Sequence, residues 1–170
     1  ARPELGSPRV VSTMDSPETD RYWLLMERVT GTELSGVANL QAWCDAARWL
    51  ARLHTQLAAF AAEPPPPLAD RLLRYDSNLL RLWLTRALAA VRAAAPAVPA
   101  DLLHRLHRLA AGYDRVIERL LAMPPRFIHG ELCPSNVLLC RELHPARVCA
   151  VDWEMAGIGP PLLDLAALIA

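Results

Sequence analysis

Two short stretches hold side chains able to do chemistry together. Residues 127–139 read FIHGELCPSNVLL and residues 151–154 read VDWE. The polar cluster of the first sits between Phe127-Ile128 and Val137-Leu138-Leu139, so it borders apolar surface on both sides, where an unpaired polar group is costly. Glu131 precedes Asn136 by five positions, and Asp152 follows beyond a second β-prone run. If the two runs pair as a hairpin, Asn136 at the start of one and Asp152 at the end of the other fall at the same end, with Glu131 on the incoming turn. Three oxygen-bearing side chains then converge. Hard oxygen donors with a spare carboxylate suit Mg²⁺ and phosphate better than a soft metal, because Mg²⁺ keeps waters and takes one or two carboxylates plus phosphate oxygens.

The elements that must position these residues follow from pattern. Arg9–Thr13 and Tyr22–Val29 read as β runs joined by a polar turn containing Asp15, Ser16 and Pro17. From Asn39 to Ala62 the apolar residues Leu40, Trp43, Ala47, Leu50, Leu57 and Ala61 recur at three- and four-residue steps, which predicts one amphipathic helix. The tract Glu63–Pro67 ends that helix as a stiff connector, since proline lacks the amide and fixes φ. Two further helices are predicted over Leu68–Ala94 and Ala100–Leu121, separated by APAVP at 95–99. Arg126–Ile128, Asn136–Cys140 and Arg147–Trp153 are short β-prone runs, with RELHP at 141–145 as a turn. GIGPPLLDLAALIA, 157–170, reads as a Gly-Pro turn and the start of a helix.

Composition narrows the function classes. The chain has 170 residues, 53% of them hydrophobic, and balances 18 basic against 18 acidic residues. That is enough for one domain or a large piece of one, and it leaves no electrostatic footprint for nucleic acid or an anionic membrane. Its apolar runs are far shorter than the roughly 18 residues a bilayer span needs. Every basic residue is Arg, so no lysine amine is available from this chain. Cys44, Cys133, Cys140 and Cys149 form no CxxC pair, which predicts reduced thiols and a cytoplasmic setting. His129, Cys133, Cys140 and Cys149 lie close in sequence, yet their spacing matches no zinc knuckle, and their apolar neighbours read as buried thiols.

FIHGELCPSNVLL followed by VCAVDWEMAGIGPPLLDLAAL resembles the phosphotransferase family of aminoglycoside and choline kinases, whose signature is H-G-D-x-x-x-x-N, a short hairpin, I-D-W-E and a downstream D-L-A. The same order of acid, Asn and second Asp is the layout of kinase phosphoryl transfer. YWLLMERVTG resembles the strand that hinges two lobes, and WLARLH at 49–54 resembles the first large helix of the C-terminal lobe. The resemblance implies a protein-kinase-like α+β fold, with residues 1–30 as the end of the small lobe and hinge, and residues 31–170 as a large lobe truncated at its C-terminal end. It implies ATP and Mg²⁺ as cofactors and a small-molecule hydroxyl as acceptor, with no nucleic acid or membrane partner. Glu131 takes the catalytic-base position, His129 is a structural member of the catalytic loop, and Asp164 braces that loop. Asn136 and Asp152 are the implied Mg²⁺ ligands, and the backbone around Glu27, Arg28 and Val29 receives adenine.

Two departures accompany the resemblance. The base position holds Glu where the family has Asp, and the lysine strand and phosphate-covering loop that the family carries upstream have no counterpart here. These keep a second reading open: a catalytically inactive kinase-like module that binds a nucleotide or ligand. Single residues also have plain structural readings. Asp152 can cap a turn, Asp164 can cap the last helix, His54 can satisfy a neighbouring backbone group, and HRLHRL at 104–109 can be an exposed basic stripe.

Overall fold

In the computed structural model, which describes residues 5–94, 97–140 and 147–170, the first regular elements are the strands β1 (Val10–Ser16) and β2 (Arg21–Met26), paired antiparallel from Val10↔Met26 to Ser16↔Arg21. β1 reaches three residues beyond the predicted Thr13, because the turn is tighter than the polar stretch implied. One 3-10 turn spans Pro17–Thr19, Thr19 Oγ1 donates to Ser16 Oγ at 2.8 Å, and Asp20 closes the turn in the left-handed region at φ 50°. β2 stops at Met26 rather than Val29. Most of this ribbon is exposed, with Val11, Met14, Trp23 and Leu25 each more than half accessible. Its base is held by Glu27 N–H donating to Arg9 O at 2.8 Å.

These strands belong to a unit formed by Ala1–Gln56, His129–Met155 and Leu163–Ala170. Its core sheet orders β3 (Thr32–Glu33), β6 (Val137–Cys140) and β7 (Arg147–Ala150) as β3-β6-β7, all antiparallel. Val137, Leu139, Cys140, Val148, Cys149 and Ala150 are buried, and the cysteines are free thiols. β7 ends at Ala150 instead of running to Trp153, since Asp152 adopts φ 65° and cannot continue a strand. Helix α1 (Leu40–Gln56) starts at Asn39, whose Oδ1 accepts the N–H of Gln41 at 2.9 Å. It buries Ala42, Ala46, Trp49, Leu50 and Leu53. The large apolar residues are worth roughly 1.5–3 kcal/mol each when fully buried. The predicted helix to Ala62 is instead broken at Leu57. Thr55 Oγ1 bonds back to Ala51 O at 2.7 Å one turn earlier, a contact that loosens helices.

The second unit comprises Leu57–Ile128 and Ala156–Leu162. It holds α2 (Ala58–Ala62), α3 (Pro66–Ala69), β4 (Leu73–Arg74), α4 (Ser77–Ala94), α5 (Ala100–Leu121), β5 (Arg126–Ile128) and β8 (Gly157–Gly159). The proline tract is not all connector: Pro66 opens α3, where a missing amide is harmless. The helix expected over Leu68–Ala94 is two helices with a strand between. The carboxylate of Asp76 accepts the N–H groups of Asn78 and Leu79 at 2.9 Å each, starting α4 there and freeing Leu73-Arg74 to pair parallel with β8. α5 has its predicted bounds, and it packs on α4 through Arg81–Asp114 at 2.8 Å and Tyr113 OH to Leu80 O at 3.0 Å. Residues 141–146, which include the RELHP turn, and Ala95-Pro96 of APAVP lie outside the described residues. Helix α6 (Leu162–Ile169) closes the chain's regular elements, and among the described residues no helix is long and apolar enough to cross a membrane.

β8 stands where the sequence predicts only a turn. It is the middle strand of the order β4-β8-β5, parallel to β4 and antiparallel to β5. Gly159 makes this possible: a Cβ there would lie 2.5 Å from Tyr75 Cβ and 3.0 Å from Ile128 Cδ1. We expect Gly159→Ala to destabilise the protein by about 1–3 kcal/mol through overpacking, measured as a lowered urea midpoint at unchanged m-value.

Candidate active site

Strand β5 delivers the chain to residues 129–136, and β6 carries it away. The turn between them is held from below by Asp164. Its carboxylate is fully buried and accepts the backbone N–H of His129 at 2.9 Å on Oδ2 and that of Gly130 at 2.8 Å on Oδ1. His54 Nε2 reaches the same Oδ2 at 3.0 Å. His54 therefore serves a carboxylate 110 residues away rather than the neighbouring backbone group its position suggested. Gly130 sits at φ 85°, a conformation glycine adopts without penalty and which turns the chain sharply after His129.

The ring of His129 is buried. Its Nε2 lies 2.9 Å from Val151 O. A carbonyl only accepts, so Nε2 carries the hydrogen. Nδ1 has no hydrogen-bond partner among the described residues. Burial pushes the imidazole pKa below its usual value, more strongly than the nearby carbonyl and carboxylates lift it. The ring is thus a neutral donor that fixes the residue preceding Asp152. Trp153 packs on it with ring centroids 4.4 Å apart, and Trp49 of α1 meets Trp153 edge-on at 6.4 Å.

The hairpin register decides where the oxygen donors emerge. Val137 faces Ala150, and Val151 N–H donates to Asn136 O at 2.9 Å, so Asn136 and Asp152 leave the same end of the β6–β7 ladder. Asn136 Nδ2 donates to Glu131 O at 3.0 Å, which ties the start of the turn to its finish. With the amide nitrogen committed, the Asn136 Oδ1 and the Asp152 carboxylate accept nothing from the described residues, and Glu131 and Asp152 are solvent-exposed. This donor set, one amide oxygen and one carboxylate beside water, suits a Mg²⁺ ion that keeps waters and phosphate oxygens. No three His, Cys, Asp or Glu side chains gather as metal ligands among the described residues.

Of the residues the sequence places at a hinge, Glu27 uses its side chain structurally. Arg147 at the start of β7 grips it twice, Nη1 to Oε1 at 2.6 Å and Nη2 to Oε2 at 3.1 Å, and also donates to Gly6 O and Ser7 O. The hydrogen bond from Arg147 holds the Glu27 carboxyl down to about 2. Arg28 is exposed and Val29 half-buried. Sequence reasoning missed Arg147 and the role of His54. His54 left a signal, being a polar ring four residues after the buried Leu50 on α1, where something had to satisfy it. Arg147 left none, since its partner lies 120 residues away.

The carboxylate-braced turn, the hairpin with oxygen donors at one end and the segment after β2 clamped to that hairpin through Glu27 and Arg147 accord with a kinase-like phosphotransferase fold. A family model described as the phosphotransferase enzyme family matches residues 2–170, and the chain belongs to that family. Two solved structures of the aminoglycoside phosphotransferase APH(3'')-Id from Streptomyces rimosus are similar to it, each with a TM-score of 0.60 and 23% identity. One, in complex with ADP and streptomycin, matches over 95% of this chain and 58% of its own. The other matches over 98% and 59%. The chain therefore spans about three-fifths of the length of those structures. None of the curated proteins matches it.

Two outcomes test this geometry. Asp164→Asn sets an amide nitrogen against backbone donors, and we expect a loss of about 2–4 kcal/mol in unfolding free energy by urea titration. His129 gives a pH dependence. Its folded pKa is depressed, so below about pH 6.5 the unfolded chain binds more protons than the folded one and stability falls with pH. The wild-type urea midpoint should drop from about pH 7.5 to about pH 5.5 more steeply than that of His129→Gln.

Proposed function

We propose that the protein transfers the γ-phosphoryl group of ATP to a hydroxyl of a small molecule. The observation that carries this reading is the pairing of two uncommitted oxygen donors, on Asn136 and Asp152, at the hairpin end reached by the Glu131 turn. Asn136 and Asp152 would hold Mg²⁺, which supplies neutralising charge to the phosphates when bound. Glu131, exposed at the start of the turn, accepts the proton of the acceptor hydroxyl and orients its oxygen toward the γ-phosphorus. As the acceptor oxygen bonds to phosphorus, the bond to the β-phosphate oxygen breaks and ADP leaves. His129 and Asp164 serve as positioning residues, holding the turn and the residue before Asp152. The backbone of Glu27, Arg28 and Val29 receives the adenine, with residues 1–30 as the end of the smaller lobe.

What supports the acceptor class is the family itself, together with the streptomycin and ADP bound in a structure of the same fold. A hydroxyl-bearing small molecule of the aminoglycoside, choline or sugar kind is the acceptor we propose, and the cytoplasm, where ATP and reduced thiols coexist, is the proposed setting. A second reading, a non-catalytic module that binds nucleotide, rests on the Glu at position 131 and on the absence of lysine from these residues.

The deciding experiment screens purified protein with Mg·ATP against hydroxylated antibiotics, choline and sugars, and then repeats the productive pair with variants. Glu131→Gln should lower kcat by roughly 10² or more while leaving Mg·ATP affinity nearly unchanged. Asp152→Asn should instead weaken Mg·ATP binding by calorimetry. Nucleotide binding with no transfer to any acceptor supports the binding module, and wild-type turnover in Glu131→Gln removes Glu131 as the base.

A further inference from the structure

The second unit contains a cleft of about 360 Å³ that the proposed chemistry does not use. It opens at one end of the β4-β8-β5 sheet, where β4 and β8 finish and β5 begins. This is the opposite end of β5 from the one that continues into His129. Its walls are mainly apolar, from Ala62, Met123, Pro125, Ile158 and Pro160. Its volume falls within the range of small-ligand sites.

One charged group in the lining is uncommitted. The carboxylate of Asp76 is already engaged in capping α4. The guanidinium of Arg74, the last residue of β4, is solvent-exposed and has neither an acid nor a hydrogen-bond partner among the described residues. Arg147 on Glu27, Arg81 on Asp114 and Arg48 on Asp45 are the arginines paired with acids among the described residues, so the guanidinium of Arg74 is available to a ligand, as most others are. The floor beneath Arg74 is hydrogen-bonded and closely packed: Tyr75 N–H donates to Ile158 O at 2.9 Å, and Gly159 leaves no space for a side chain against Tyr75. The cleft is thus pre-formed, which limits the ordering cost of binding.

We propose that this cleft is a second binding site, for a small amphiphilic carboxylate whose apolar body lies against Met123, Pro125 and Ile158 and whose carboxylate meets Arg74. The guanidinium fork matches a carboxylate in two parallel hydrogen bonds, and apolar walls reject ligands that lack a body to bury. The site is independent of the phosphoryl-transfer reading, since it shares none of Glu131, Asn136 or Asp152.

Octanoate, octanol and acetate serve as probes, followed by calorimetry and by amide NMR at Ile158 and Gly159. Octanoate should bind and shift those resonances, while octanol and acetate bind about tenfold more weakly or less. Arg74→Gln should bring octanoate down to the level of octanol. Ala62→Trp, at an exposed position on the rim, should fill the cleft and remove binding of both without changing the urea midpoint. Glu131→Gln should bind octanoate like wild type. Equal affinity for octanoate and octanol in the wild type overturns the proposal, as does octanoate binding that survives Ala62→Trp or is lost in Glu131→Gln.

Discussion

A single buried carboxylate organises the candidate site. Asp164 is removed from solvent, and a lone ionised carboxylate in such a place would be strongly disfavoured. It is tolerated because two backbone N–H groups and an imidazole point at it. Charge-assisted hydrogen bonds of this kind are stronger than neutral ones, so the carboxylate fixes the path of the chain through His129 and Gly130. Everything the turn presents, from Glu131 to Asn136, inherits its position from that anchor. His54 links the anchor to α1, whose apolar face is in turn held by Trp49, Leu50 and Leu53.

The hairpin supplies the second constraint. A slip of one residue in the β6–β7 register would move every side chain to the other face, and buried residues on both strands make such a slip costly. The bond from Val151 to Asn136 O sits at the last rung, just before Asp152 turns into the left-handed region. That conformation is uncommon for a residue other than glycine, and here it ends the strand and sets Asp152 apart from the ladder. The neutral ring of His129 steadies the same point through Val151 O. Packing and polar contacts thus agree on where the donors of Asn136 and Asp152 emerge.

The segment at Glu27, just after β2, is secured differently. Arg147 satisfies both oxygens of Glu27 and two carbonyls of the entering chain, so one planar fork gathers three segments. Among the described residues the β1–β2 ribbon that precedes this segment has no comparable clamp, and its apolar residues remain exposed. The two ends of the same hairpin therefore differ in how firmly they are tied to the sheet that carries the candidate site.

Local pattern alone was enough to nominate the candidate site residues. His129, Glu131, Asn136 and Asp152 lie within 24 residues of one another, so chain connectivity and one short hairpin suffice to bring them together. The long periodic segment of α5 was equally legible, because 22 residues of consistent spacing leave little ambiguity. Tertiary structure decided the rest. β4 and β8 are two and three residues long, too short to show a period, and they exist only because each finds the other across the fold. The break after Gln56 and the separation of α3 from α4 follow from local hydrogen bonds of Thr55 and Asp76 that compete with a pattern still helical in outline. His54 and Arg147 took their roles from partners more than a hundred residues away, and no spacing rule reaches that far. A sequence records which groups need partners; the packed chain determines which partners are within reach.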